Sequence, residues 1–196
     1  MASSSAQYII AIGASAGGLE EIQHFFDNTP VDSVAYVIVQ HLSPDFKSRM
    51  VELLAKHSKL KVKEAEENML VENNQVYLIP HKKFMTIHDG RLHLTDKLKA
   101  SGPHLTINTF FNSLAIESGE KAIGVILSGL GSDGTEGAKA IHQQGGMIIA
   151  REPATSEFSS MPSNAIAAGI VDYVLEPELM PAAIEYYVKN DGALLP

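Results

Sequence analysis

Tyr8-Ile9-Ile10-Ala11-Ile12-Gly13-Ala14-Ser15-Ala16-Gly17-Gly18-Leu19 is the stretch that decides the fold. Its first five residues are continuously apolar, as in a strand buried on both faces, and lack the alternation of a half-exposed one. A glycine-rich turn follows, and then a helix-like segment over residues 19–26. The unit recurs along the chain. Residues 34–39, 122–127 and 147–150 are further continuous apolar runs, and helix-like stretches occupy 48–57, 107–116, 135–144 and 177–189. Buried strands alternating with helices predict an α/β fold, a doubly wound and mostly parallel sheet with flanking helices.

Residues 60–94 break that rhythm. Short alternating runs at 76–79, 85–87 and 92–94, with the turn signal His88-Asp89-Gly90-Arg91, predict a small antiparallel hairpin. Residues 95–104 read as a polar surface loop around Gly102-Pro103. The sequence shows no repeat and no interdomain linker, so residues 8–190 are expected to form one domain. Residues 1–7, small and polar, are expected to be a disordered N-terminus or a cloning remnant.

The chain has 196 residues, 45% of them hydrophobic, enough to bury a substantial core. Its formal net charge is -8 and no cluster of Lys and Arg stands out along it, which argues against a nucleic-acid partner. No apolar run approaches the roughly 20 residues that cross a bilayer, and residues 1–7 lack the basic and apolar regions of a signal peptide. Neither membrane insertion nor export is expected. The absence of cysteine excludes disulfides, thiolate metal sites and a cysteine nucleophile, and it suits a cytoplasmic location.

In open α/β sheets ligands bind beyond the carboxyl ends of the strands, and three strand-to-helix turns carry suggestive chemistry. Gly13-Ala14-Ser15-Ala16-Gly17 has the G-x-S-x-G spacing of a nucleophile elbow, in which small neighbours relieve a crowded turn. A phosphate-binding or simply tight glycine turn fits the same residues equally well. His41 stands where the second strand stops and is placed to act as base and then acid towards a serine hydroxyl and its leaving group. A histidine there is also an ordinary loop residue. Asp133 lies in Ser128-Gly129-Leu130-Gly131-Ser132-Asp133-Gly134, where it can orient His41, cap the helix beginning near Thr135, or do both. The other seven histidines show no metal-ligand spacing. Three separate parallel strands would bring Ser15, His41 and Asp133 to one sheet edge, which makes an ester-hydrolysing triad the leading reading.

Together these residues resemble the catalytic domain of the chemotaxis receptor methylesterases, the CheB family. The resemblance rests on five blocks in order: Ile12-Gly13-Ala14-Ser15-Ala16-Gly17-Gly18, Val39-Gln40-His41-Leu42-Ser43-Pro44, Val76-Tyr77-Leu78-Ile79-Pro80, Leu127-Ser128-Gly129-Leu130-Gly131-Ser132-Asp133-Gly134 and Met161-Pro162. The variants Ser43-Pro44-Asp45-Phe46-Lys47-Ser48 and Ile170-Val171-Asp172-Tyr173-Val174-Leu175 look most like esterase domains fused to a receptor methyltransferase. The resemblance implies hydrolysis of glutamate γ-methyl esters on the cytoplasmic helices of chemoreceptors, with methanol released, and also deamidation of receptor glutamines. It makes Ser15 the nucleophile, His41 the acid and base, Asp133 the orienting residue, and the backbone N–H groups of Ala16 and Leu130 the oxyanion hole. It implies no metal and no organic cofactor, and an attached or separate receptor methyltransferase as a partner.

Three features depart from the family pattern. Ala16 replaces a frequent threonine, and Arg151-Glu152-Pro153 stand where a glutamine and then an acidic residue are common, a change expected to bear on substrate contacts. Only seven residues precede the first strand, so no receiver domain is expected before it. These departures keep open a catalytically silent domain that docks on receptor or signalling complexes. The two glycine-rich turns keep open a phosphate or nucleotide site.

Overall fold

A computed structural model describes residues 8–41, 49–99 and 102–196. Residues 1–7, the Ser43–Ser48 block and the first residue of the helix expected from residue 48 lie outside them. In chain order the elements are β1 (Ile9–Ala14), α1 (Gly18–Asp27), β2 (Ala35–Gln40), α2 (Met50–Ala55), β3 (Lys61–Glu64), β4 (Met69–Leu70), β5 (Gln75–Leu78), β6 (Lys83–His88), β7 (Arg91–Asp96), α3 (Thr106–Ser118), β8 (Ala122–Ile126), α4 (Thr135–Gln143), β9 (Met147–Arg151), α5 (Ser160–Ala167), β10 (Tyr173–Leu175) and α6 (Met180–Lys189). Seven strands form one parallel sheet in the order β10-β9-β8-β1-β2-β5-β3.

The continuous apolar runs are explained by two cores, one on each face. Along β1, Ile10, Ile12 and Ala14 join a cluster with Phe25 and Phe26 of α1 and Ile184 of α6. Ile9 and Ala11 point the other way, into a cluster with Phe110, Phe111 and Leu114 of α3 and Ile141 of α4. Because successive side chains leave a strand on opposite faces, a strand covered on both sides must be apolar at every position. β2 obeys the same rule, with Tyr36 and Ile38 on one face and Val37 and Val39 on the other.

The antiparallel unit is present but differs from the expectation. β6 and β7 pair from Lys83↔Asp96 to His88↔Arg91 around the expected turn, where Asp89 and Gly90 both have positive φ, as a two-residue hairpin requires. β4 adds a third strand to this sheet. The run at 76–79 reads from sequence as part of the hairpin unit, yet as β5 it enters the parallel sheet between β2 and β3. The reason is burial on both faces: Val76 and Leu78 belong to one core and Tyr77 to the other.

Candidate active site

The register of the sheet places the first two residues of the site. β1 and β2 stay paired to Ala14↔Gln40, and the His41 N–H continues the ladder to the Ala14 carbonyl at 3.1 Å. Neighbouring strands lie about 4.8 Å apart, so Ser15 and His41, each one residue beyond the last pair, emerge side by side. On the other flank, the Ser15 N–H donates to the Ser128 carbonyl at 2.9 Å, which ties the turn to the strand that leads to Asp133.

The turn itself depends on Gly17. It takes φ 77 as the N-cap of α1, and a Cβ there would lie 2.8 Å from Phe158 Cδ2. Left-handed backbone without a side chain is glycine's particular capacity. Among the described residues, the N–H groups of Ala16 and Leu130 have no protein acceptor.

Asp133 joins His41 through Oδ2, 2.8 Å from the imidazole Nε2. A carboxylate accepts only from an N–H, so the neutral ring carries its proton on Nε2 and its basic lone pair on Nδ1. This reverses the nitrogen assignment of the serine-protease triad. The carboxylate is fixed from behind: the Ile107 N–H donates to Oδ2 and the Asn108 N–H to Oδ1, each at 2.9 Å. Asp133 therefore caps a helix, but it caps α3 and not the helix that follows it. α4 begins at Gly134 without a side-chain cap, and its Gly134 and Gly137 N–H groups donate to Asn108 Oδ1. Burial pushes the Asp133 carboxyl up, while the hydrogen bonds from His41, Asn108 and Ile107 outweigh it and hold the group below its ordinary value.

A cavity of about 670 Å³ is lined by Ser15 and His41 and runs beside Glu20, Gln23 and His24 of α1. No hydrogen bond joins the Ser15 hydroxyl to the His41 ring among the described residues, where the ring's side-chain partner is Asp133. Such contacts commonly tighten only in the substrate complex. Leu130, 63% exposed, supplies an apolar side chain on the same turn as Asp133.

Several supporting residues were not found from sequence. Glu21 is 9% exposed and accepts the Ser128 N–H at 2.8 Å, the Ser128 hydroxyl at 2.5 Å and Arg151 Nε at 2.8 Å. Arg151 is 6% exposed and also donates to the Glu152 carbonyl, to Thr155 and to Glu176. These partners hold the Arg151 guanidinium so that it braces, through Glu21 and Ser128, the strand end that holds Ser15. Gly129 completes the support, since a Cβ there would stand 2.3 Å from Met161 Sδ and 2.8 Å from Ser15 Cβ.

The sequence model of the CheB methylesterase family matches residues 10–184. A protein-glutamate methylesterase/protein-glutamine glutaminase of Salmonella typhi is 36% identical over 176 residues, covering 88% of this chain and 50% of the relative. One of the same name from Pyrococcus horikoshii is 34% identical over 184 residues, covering 91% and 50%. The chain thus spans about half the length of the curated relatives it matches. The crystal structure of the Thermotoga maritima CheB methylesterase catalytic domain superposes with a TM-score of 0.82 at 30% identity, covering 91% of this chain and 97% of that one.

Proposed function

We propose that this chain, which belongs to the CheB methylesterase family, hydrolyses the γ-methyl esters of glutamate side chains on chemotaxis receptors, with Ser15 as its nucleophile. The observation that carries this reading is the convergence at one sheet edge: Ser15 and His41 line one cavity, and Asp133 binds the His41 ring at 2.8 Å. His41 Nδ1 takes the Ser15 hydroxyl proton as Oγ attacks the ester carbonyl. The negative charge moves to the carbonyl oxygen, where the Ala16 and Leu130 N–H groups receive it. His41 then protonates the departing methoxide, methanol leaves, and a water activated by the same nitrogen cleaves the acyl-serine to give the glutamate carboxylate. A glutamine side chain fits the same cycle with ammonia as the leaving group, in keeping with the double name of the relatives.

A receptor helix is a bulky substrate and needs an open groove, which the cavity beside α1 offers. A cytoplasmic place of action is part of the proposal, because the target esters lie on cytoplasmic receptor helices. Among the described residues, no helix is long and apolar enough to cross a membrane. The test is methanol release from a receptor fragment carrying glutamate γ-methyl esters. Wild type should release methanol, and Ser15→Ala should lose roughly a factor of 10⁴ or more in rate. Full activity in Ser15→Ala, or none in wild type, would end the proposal, and the second outcome would favour a silent docking domain.

A further inference from the structure

The fold gathers cations that the sequence holds apart. A second cavity, of about 240 Å³, shares Gln40 and His41 with the nucleophile cavity and is otherwise lined largely by His81, Lys82, Lys83 and Lys97. Two chain segments supply them, joined where the Lys97 N–H donates to the Lys82 carbonyl at 3.0 Å and where Lys83 and Asp96 pair across β6 and β7. In a chain of net charge -8, three lysines in one pocket beside the proposed catalytic histidine are a local reversal of sign.

The charges are only partly answered by the protein. Lys83 is paired with Asp96. Lys97 has no carboxylate within ion-pair distance among the described residues; its ammonium lies over the Phe84 ring, 5.4 Å from the centroid. Asp133 is the carboxylate whose field reaches Lys97, but its oxygens are occupied by His41 and the two α3 amides. Lys82 makes no ion pair among the described residues either, and it is held at φ 55, a region that a lysine seldom enters. Partial burial lowers the Lys97 pKa, against the pull of Asp133, so an anion entering the pocket would relieve a desolvated and unpaired ammonium.

We propose that this pocket binds a carboxylate of the substrate carried beside the esterified glutamate, so that Lys97 and Lys82 select esters with an acidic neighbour. The inference rests on the esterase reading above. Rim charges of this kind set specificity and orientation, and a hydrogen bond to a charged group is worth about tenfold or more in affinity.

The experiment uses three peptides with one glutamate γ-methyl ester each, flanked by glutamate in the first, by glutamine in the second and by lysine in the third. Binding to Ser15→Ala by calorimetry and turnover by wild type are read at low salt. The glutamate-flanked peptide should bind about tenfold more tightly, the ratio should collapse towards one in Lys82→Gln/Lys97→Met, and Lys97→Arg should retain it. Lys97→Glu should reverse the order when the neighbour is lysine, which a merely structural role would not produce. Equal binding of the first two peptides, no binding of either, or a ratio that survives the double substitution would overturn the inference. Selective binding without methanol release would remove the esterase reading alone, and methanol release without selectivity would remove only the pocket.

Discussion

Asn108 and Asp133 hold the starts of each other's helices: the Asn108 N–H donates to Asp133 Oδ1 at 2.9 Å, and Asn108 Oδ1 accepts from Gly134 at 2.9 Å and Gly137 at 2.8 Å. The exchange locks α3 against α4 and sets the carboxylate that faces His41. Asn108→Ala would leave two buried N–H groups unpaired and free the residue next to Asp133. We expect a loss of about 2–4 kcal/mol in denaturant unfolding, with kcat falling more than KM changes. A normal kcat in a folded Asn108→Ala protein would show that the clamp does not orient the site.

The lowered Asp133 carboxyl makes acid stability the second test. A group whose folded-state pKa lies below its unfolded one stabilises the native state fully above the unfolded value, near ~4, and loses that contribution as pH falls through the folded value. Thermal midpoints of wild type and Asp133→Asn should differ most at neutral pH and converge as pH drops below about 4. A constant difference across that range would contradict the assignment.

Glu21 and Arg151 form a buried pair beneath the Ser15 turn, and breaking it from one side should be worse than replacing both. Arg151→Met leaves the Glu21 carboxylate uncompensated and should destabilise by about 3–5 kcal/mol. Glu21→Gln/Arg151→Met keeps an acceptor for the Ser128 N–H and should recover much of that loss. Additive losses, read by denaturant unfolding, would argue against the coupling.

Gly129→Ala tests how closely the third turn is fitted to the first. The new Cβ must displace Met161 Sδ or Ser15 Cβ. Overpacking of this kind costs about 1–3 kcal/mol, and a shift of Ser15 by about 1 Å can cost on the order of 10²-fold in rate. Loss of activity with only a modest drop in stability is the expected result. Unchanged kcat would place the strain elsewhere.

The central strands and the helices between them were legible because burial on both faces imposes an unbroken apolar pattern, as in β1, β2, β8 and β9. β3 and β10 were not, since they are short edge strands with exposed positions, and β5 was misplaced because an apolar run of four residues is too short to tell a doubly buried strand from a hairpin strand. α5 is short and opens with Pro162 at its third position, where the missing N–H is harmless but where a sequence reading expects a break. For the candidate site, the placing of Ser15, His41 and Asp133 at neighbouring strand ends and turns was legible from the strand pattern and the glycine turns. Glu21 and Asn108 were not, because a glutamate in an amphipathic helix looks like a solvent-facing residue and an asparagine at a helix start looks like a local cap. Their partners lie 107 and 26 residues away. Nor could the lysine pocket be found, which exists only once β6 and the end of β7 are side by side.

The most direct test of the account is a double-substitution cycle on methanol release from a glutamate γ-methyl ester peptide, comparing Ser15→Ala, His41→Ala and the two together. If Ser15 and His41 act as one unit, each single change removes roughly 10⁴-fold or more and the pair removes little beyond either. Losses that multiply, or a Ser15→Ala protein that still turns over at the wild-type rate, would contradict it.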